Sequence, residues 1–202
     1  MSDRVAVLFA LEREATPFRR LAKRFPAVRI TVSGVGRAAA RAASLLALEE
    51  SPRLVIAAGF CGALVPGLRV GDIVRSPRIL TVDYLVFDPD EKRTLGALHA
   101  ADAVDMESAA VAEVCAAKGV PFLTVRAVSD TVDTALSPEL VRLLSGGNVS
   151  PWKALKALLR KPSLLGEFRR LARDTKHAAR QLAAALVDVV SQSAKVGHSL
   201  RE

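Results

Sequence analysis

Val5-Ala6-Val7-Leu8-Phe9-Ala10-Leu11 is an uninterrupted apolar run of the kind typical of a strand buried on both faces of a sheet. A helix is predicted directly after it, from Glu12 to Arg24. Two further strands, Val28–Val32 and Leu54–Ala58, flank an Ala- and Leu-rich helix over Arg37–Glu50. Strands that alternate with helices in this way predict a three-layer αβα fold, with a mainly parallel or mixed central sheet and right-handed crossovers.

The same alternation continues towards residue 130. Short strands are predicted at Gly71–Val74 and Ile79–Val82, and a helix is predicted over Asp105–Lys118. A last strand, Phe122–Val128, ends at Ser129-Asp130.

Residues 151–202 differ from the rest of the chain in charge and in secondary structure. They carry eleven Lys/Arg against four Asp/Glu, which is +7 of the net charge of +8. The pattern predicts a short helix over 151–160 and a long one over 164–190, interrupted at Pro162, with Ser193 to Glu202 frayed. We therefore expect an α/β domain, residues 1–150, and a basic helical extension, residues 151–202, packed on the same domain.

Leucines at helical spacing lie between Lys and Arg in this extension, as at Leu155, Leu158 and Leu159. Such a helix either packs on the sheet with a solvated outer face or lies on an anionic membrane surface. We do not expect nucleic acid binding, because the extension has no recognisable module and few aromatic residues beyond Trp152 and Phe168.

No apolar stretch reaches the roughly 18–20 residues that span a bilayer, and the N-terminal residues show no signal-peptide cleavage pattern. A cytoplasmic protein is expected, peripheral at the inner membrane surface if the basic extension binds lipid. Cys61 and Cys115 lie far apart in apolar or glycine-rich surroundings, which favours buried free thiols over a disulfide or a metal role. His99, His177 and His198 are scattered, so neither a metal nor a cofactor is predicted.

Polar segments follow the predicted strands at their carboxyl ends, where open α/β sheets bind ligands. Taken singly, each has an ordinary explanation: a tight turn for Ser33–Gly36, a helix-dipole partner for a Glu near a helix start, and an N-cap for an Asp. Their joint occurrence indicates a site. The segments at the strand ends are Glu12 and Glu14, Ser33-Gly34, the loop Gly59–Gly62 and Ser129-Asp130. Met106-Glu107 begins a predicted helix between strands.

The order of these segments resembles the nucleoside phosphorylase and nucleosidase superfamily, especially its methylthioadenosine/S-adenosylhomocysteine nucleosidases. The resemblance extends over residues 4–130 and is most specific in Val104-Asp105-Met106-Glu107-Ser108-Ala109 and in Val120 through Asp130. It implies a phosphorylase/hydrolase-like fold in a shortened form. It also implies an enzyme that cleaves the N-glycosidic bond of an adenosine-type purine nucleoside, and a homo-oligomer.

The resemblance assigns a role to each matching residue. Asp130 is the general acid that protonates the purine ring, and Ser129 lies beside it. Glu14 holds the attacking water, assisted by Ser33 and Arg126. Cleavage through an oxocarbenium-like sugar needs both a carboxylate near that sugar and an acid on the leaving base.

The remaining substrate-binding residues follow from the same resemblance. Glu107 binds the ribose hydroxyls, and Met106 packs under the sugar. Gly34 and Phe60 are further substrate-binding residues. Leu85 stands where nucleosidases carry a Phe that stacks on adenine, and Phe87 is the alternative stacking residue.

Three alternatives stay open. Glu14 favours water as the nucleophile because a carboxylate repels phosphate, but Arg13, Arg19 and Arg37 leave phosphorolysis possible. Missing segments between Phe25 and Arg29, and between Val74 and Arg78, leave a catalytically impaired nucleoside-binding or membrane-associated scaffold as a rival. A looser resemblance of residues 75–202 to the subgroup encoded with hopanoid-lipid biosynthesis implies an adenosylated hopanoid as the substrate.

Overall fold

The computed structural model describes residues 3–135 and 164–199 of the chain. In those residues the elements, in chain order, are β1 (Val5–Phe9), α1 (Glu12–Ala22), β2 (Val28–Val32), α2 (Arg37–Glu49), β3 (Leu54–Ala63), β4 (Ile73–Arg75), β5 (Ile79–Thr81), α3 (Pro89–His99), β6 (Ala103–Asp105), α4 (Ser108–Ala117), β7 (Phe122–Asp130) and α5 (Leu164–Ser199).

The apolar run at the N-terminus forms β1, which is covered by helices on both faces, and this gives the fold its three layers. Successive side chains of a strand point to opposite faces of the sheet. Val7 and Phe9 pack with Phe18 of α1 and Leu182 of α5 on one face, whereas Leu8 packs with residues of α2 and α4 on the other. The predicted three-layer αβα fold is confirmed.

The sheet is mixed, and its centre is the long strand β3. The strand order β2-β1-β3-β6-β5 runs through it, and β7 pairs with β3 and with β4. β1, β2, β3 and β7 are parallel neighbours, while β6 runs antiparallel to β3 and β4 runs antiparallel to β7. The carboxyl ends of β1, β2, β3 and β7 therefore meet at one edge of the sheet.

α5 packs on the sheet through an apolar face, and basic side chains are exposed on the other side of the helix. Ala178, Leu182 and Leu186 are buried in the same core as β1. The exposed positions include Arg169, Arg170, Arg173, Lys176 and Arg180. The backbone stays helical to Ser199, so the prediction of fraying from Ser193 was wrong. The predicted helix over 151–160 lies outside the described residues.

Among the described helices, none combines the length and the apolar character that crossing a membrane requires.

Two local predictions were wrong. Gly59–Gly62 is not a loop, because β3 continues through it to Ala63 and pairs with β7. Asp105 belongs to β6, since it pairs with Thr81 of β5, and the helix begins only at Ser108.

α3 was not predicted, although its start carries an ordinary helix signal. The Asp88 side chain accepts hydrogen bonds from the backbone N–H groups of Asp90 (2.9 Å) and Glu91 (3.0 Å), with Pro89 at the first helical position.

Candidate active site

The Glu14 carboxylate lies beyond the carboxyl end of β1, in the first turn of α1. Its Oε2 accepts hydrogen bonds from the backbone N–H groups of Ala10 (3.1 Å) and Leu11 (2.9 Å), and its Oε1 accepts one from Phe60 (3.0 Å) on β3. Only 3% of the residue is exposed. Since a carboxylate offers about four acceptor positions, these three bonds fix its orientation and leave capacity for one further donor.

Burial raises the pKa of Glu14, because a charged carboxylate loses its hydration there. The Arg126 guanidinium and the backbone N–H groups of Phe60 and Leu11 lower this pKa, and the Glu107 carboxylate adds to the rise. The net direction is upward. Glu14 therefore takes up a proton more readily than an exposed glutamate, which suits a general base.

Arg126, on β7, is the buried cation of this part of the site. Its Nη2 lies 2.7 Å from Asp105 Oδ2 and 3.6 Å from Glu107 Oε2. Its Nε and Nη2 donate to Ser108 Oγ at 3.2 and 3.0 Å. Burial alone lowers the pKa of Arg126, but the carboxylates of Asp105, Glu107 and Glu14 together raise it. The guanidinium stays charged and holds three acidic groups around it.

Asp105 is a buried carboxylate whose oxygens are occupied by the protein. Thr81 Oγ1 donates to its Oδ1 at 2.7 Å. The Ser108 backbone N–H donates to both oxygens at 3.3 and 3.2 Å, and the Ser108 hydroxyl donates to Oδ2. With these partners and Arg126, Asp105 is placed to hold the arginine rather than to contact a ligand.

Glu107 connects the start of α4 to the turn that follows β2. Its Oε1 accepts a hydrogen bond from the Gly36 backbone N–H at 2.8 Å. Gly36 has φ of +93°, a backbone conformation that favours glycine, and this conformation of the turn presents the N–H to the carboxylate. Ser33 lies in the same turn, and its hydroxyl donates to the Gly34 carbonyl at 2.7 Å.

Asp130 ends β7 at a second part of the site. Ser129 Oγ lies 2.7 Å from Asp130 Oδ1 and 3.2 Å from the Cys61 carbonyl oxygen. The Nζ atom of Lys92, on α3, lies 2.5 Å from Asp130 Oδ2. One fifth of the Asp130 side chain is exposed, so the carboxylate is accessible from the edge of the sheet.

Two glycines of β3 leave room for these charged groups. A Cβ added at Gly59 would lie 2.4 Å from Arg126 Nη1 and 3.2 Å from both carboxylate oxygens of Glu14. A Cβ added at Gly62 would lie 3.1 Å from Asp130 Oδ2. Three residues along a strand span about 10 Å, which is the length scale of a nucleoside. β3 therefore forms the floor between the Glu14–Arg126 cluster and Asp130.

Gly59→Ala is expected to displace Arg126 and to lower both stability and activity. The guanidinium is tied to Asp105 and Ser108, so it cannot move away without losing those bonds. Overpacking of this kind typically costs about 1–3 kcal/mol of unfolding free energy. Urea denaturation and steady-state kinetics measure the two effects.

Gly166→Ala is the matched control for that change. An added Cβ there meets no atom within 4 Å, and the residue lies in α5. We expect it to be neutral or to stabilise the helix by up to about 1 kcal/mol. Equal effects of the two substitutions would contradict the role given to Gly59.

The structure brings Glu14, Arg126 and Glu107 into one cluster and places Ser129-Asp130 further along the same strands. Met106 lies between Asp105 and Glu107 and is half-buried. Leu85 and Phe87 are half-buried in the segment between β5 and α3, and both stay candidates for stacking on a base.

Sequence reasoning missed Asp105, Ser108 and Lys92 as members of the site. Asp105 and Ser108 belong to the motif around Glu107, but the motif by itself does not indicate that they hold Arg126. Lys92 carries no local signal, since its partner is 38 residues away in the chain. Both cysteines are free and buried, as predicted. Within residues 3–135 and 164–199, no group of three or more His, Cys, Asp or Glu side chains is arranged to hold a metal ion.

Comparisons with known proteins identify the family to which the chain belongs. A model of the phosphorylase superfamily matches residues 12–89 and 76–144. The methylthioadenosine/S-adenosylhomocysteine nucleosidase of Actinobacillus succinogenes is 31% identical over 153 residues, covering 50% of this chain and 66% of the relative. The enzyme of the same name from Haemophilus ducreyi is 30% identical over 158 residues, covering 52% of this chain and 68% of the relative. The match thus spans about two thirds of each relative's length.

Solved structures show the same fold at lower sequence identity. The Helicobacter pylori nucleosidase of this name, in complex with a substituted pyrrolidin-3-ol, has a TM-score of 0.70 at 16% identity, and the match covers 95% of this chain and 99% of that one. Futalosine hydrolase of Helicobacter pylori has a TM-score of 0.71 at 16% identity, with the same coverage. With a family model matched over more than half of its length, the chain belongs to the phosphorylase superfamily and is similar to the nucleosidases of that family.

Proposed function

We propose that this protein is an enzyme that hydrolyses the N-glycosidic bond of a purine nucleoside, of the adenosine type. The observation that carries the proposal is the pair of carboxylates at the carboxyl ends of β1 and β7. Glu14 is buried and oriented by three backbone N–H groups, and Asp130 is partly exposed at the far end of the same floor. The curated relatives, which are nucleosidases, support it.

Each carboxylate has a distinct step in this proposal. Asp130 gives a proton to a ring nitrogen of the purine, and the electron pair of the breaking C1′–N bond goes to the neutral base. Glu107, beside Arg126, binds the ribose hydroxyls and favours positive charge on the sugar. Glu14 uses its remaining acceptor position to orient a water and takes a proton from it as the oxygen attacks C1′.

The placement of the arginines favours water over phosphate as the nucleophile. Arg37 pairs with Asp83 at 2.8 Å and donates to the Thr81 carbonyl at 3.1 Å. Arg19 is exposed and pairs with Glu12, and Arg13 is also exposed. Since Arg126 is already surrounded by carboxylates, it offers little net attraction to a phosphate.

The acid limb of the pH profile tests Glu14 as the base. The carboxylate is the active form, and its pKa is raised above the ordinary value of 4.5. As the pH is lowered, we therefore expect kcat/KM to begin to fall at a pH above 4.5. The same shift means that the folded state holds this proton more tightly than the unfolded state. Its contribution to stability is complete below pH 4.5 and is lost as the pH rises through the raised pKa.

Glu12→Gln is the control for this profile, because Glu12 is an exposed acid in the same turn of α1. It should leave the limb unchanged. If the acid limb of the wild-type kcat/KM profile instead reported the ordinary glutamate pKa, Glu14 would not be the general base.

The reaction itself is tested by incubating the protein with adenosine-type nucleosides, with and without phosphate, and identifying the products. Free base together with free sugar, independent of phosphate, is the expected result. A sugar phosphate would make the enzyme a nucleoside phosphorylase. Tight nucleoside binding with no product would support the impaired scaffold instead.

For the substituent at the 5′ position of the sugar, we propose a hopanoid lipid. An adenosylated hopanoid is suggested by the looser resemblance of residues 75–202 and by the exposed Lys/Arg face of α5. The relatives and structures named above are nucleosidases and a futalosine hydrolase, and none of their names mentions such a lipid. Salt-sensitive sedimentation with anionic vesicles, absent with neutral vesicles, would support a peripheral membrane location.

A homo-oligomer also remains a proposal. α2 presents Leu45 and Leu46 to solvent, with 45% and 63% of their surfaces exposed. Exposed apolar side chains at neighbouring positions suit a subunit contact. Sedimentation velocity of the full chain would settle the state.

A further inference from the structure

Lys92 is a fully buried lysine beside the candidate acid. None of its surface is exposed, which is rare for a lysine unless its charge is paired. Its Nζ donates to Asp130 Oδ2 at 2.5 Å and to the backbone carbonyls of Thr131 (3.0 Å) and Thr134 (3.1 Å). An ammonium group has three donors, so this environment fits the charged form completely. Asp130 is the acidic partner of that charge.

The position of α3 makes this contact a rigid one. Lys92 lies in the first turns of the helix, which Asp88 caps. Gly96, one turn further on, lies against the chain just after β3, and a Cβ at Gly96 would come within 2.8 Å of the Leu64 carbonyl oxygen. Because this glycine lets α3 approach so closely, the Lys92 ammonium reaches the end of β7.

We propose that Lys92 is a positioning residue for Asp130, and that its ammonium stabilises the carboxylate that remains once Asp130 has protonated the leaving purine. The inference rests on the proposed function. Asp130 loses one proton to the ring nitrogen and becomes an anion, while Lys92 keeps all three of its protons. The attraction between the two groups therefore grows as the C1′–N bond breaks, which is the condition for lowering a barrier.

Ser129 is arranged for both states of the acid. Its single hydroxyl proton has two acceptors within reach, the Cys61 carbonyl oxygen at 3.2 Å and Asp130 Oδ1 at 2.7 Å. It can donate to the carbonyl while Asp130 carries a proton, and to Oδ1 once that proton has left. Lys92 holds Oδ2 in both states, so the exchange of protons takes place at Oδ1.

The test compares two substrates with different needs for an acid. A purine nucleoside needs a proton on its leaving base, whereas 4-nitrophenyl β-D-ribofuranoside releases a stable anion without one. Lys92→Met should lower kcat for the purine nucleoside by about 10²-fold and leave hydrolysis of the nitrophenyl riboside nearly unchanged. Lys92→Gln keeps two N–H donors without the charge and should show the same selective loss. It serves as the test if the Met variant does not fold. Lys176→Met, at an exposed position of α5, is the control and should affect neither substrate.

A second readout uses Asp130 itself. If Lys92 acts through Asp130, then Lys92→Met added to Asp130→Asn should cause little further loss of purine turnover. Multiplied losses in the double variant, equal losses on the two substrates, or no loss on the purine would each overturn the role of Lys92 while leaving the proposed function intact. A wild-type chain that releases no base from any purine nucleoside would instead overturn the function, and the role of Lys92 with it.

Discussion

Asp130→Asn is expected to lower the turnover of a purine nucleoside by about 10²-fold or more, in a protein that still folds. An amide has nearly the shape of the carboxyl group, but it cannot deliver a proton to the leaving base. Some stability should also be lost, because the amide oxygen accepts a hydrogen bond from Lys92 without balancing its charge. Loss of a partner by a buried polar group costs about 1–3 kcal/mol, more when that group is charged. Steady-state kinetics and urea denaturation separate the two effects.

Asp133→Asn is the matched control for this change. Asp133 lies three residues further on, is exposed, and pairs with Arg93 at the surface. Its amide variant should keep both turnover and stability close to wild type, because exposed ion pairs contribute little. An Asp130→Asn protein with near wild-type turnover would exclude this residue as the acid and would remove the basis for the role of Lys92.

Asp105→Asn should be the most destabilising of the substitutions discussed, with an expected loss of about 3–5 kcal/mol of unfolding free energy. The Asp105 side chain has no exposed surface, and the Arg126 side chain it pairs with is 2% exposed. Removing one charge of a buried pair leaves the other without its nearest compensation. Glu107, at 3.6 Å from Arg126, replaces only part of it. The midpoint of urea denaturation measures the loss.

Glu50→Gln removes a carboxylate from two surface pairs, at 3.6 Å from Arg4 and 3.7 Å from Arg29. With half of its side chain exposed, we expect a change below about 1 kcal/mol. If Asp105→Asn were as mild as this control, the Arg126 cluster would not depend on Asp105. Arg126 would then have to be neutralised by Glu107 and Glu14 alone.

Much of the fold could be predicted from local patterns. The uninterrupted apolar run after Arg4 predicts a strand covered on both faces, and β1 does lie in the middle layer of the three. The start of α3 also carries a local signal, because Asp88 is a preferred N-cap residue and Pro89 is a preferred first helical residue. Glu14 and Asp130 could be selected because one follows a predicted strand and the other ends one, at the edge where side chains of parallel neighbours converge.

What the sequence by itself determined is therefore the order of the layers, the edge of the sheet at which the polar residues gather, and the acidic residues available there. Tertiary structure decided how those residues are paired. Gly59 and Gly62 lie in β3, which pairs with β7, and their lack of a Cβ leaves the space that Arg126, Glu14 and Asp130 occupy. The partners of Arg126 and Asp130, Asp105 and Lys92, lie 21 and 38 residues away along the chain. Their pairing depends on how β6 and α3 pack against β3 and β7, and a contact between distant segments leaves no periodic pattern in the local sequence.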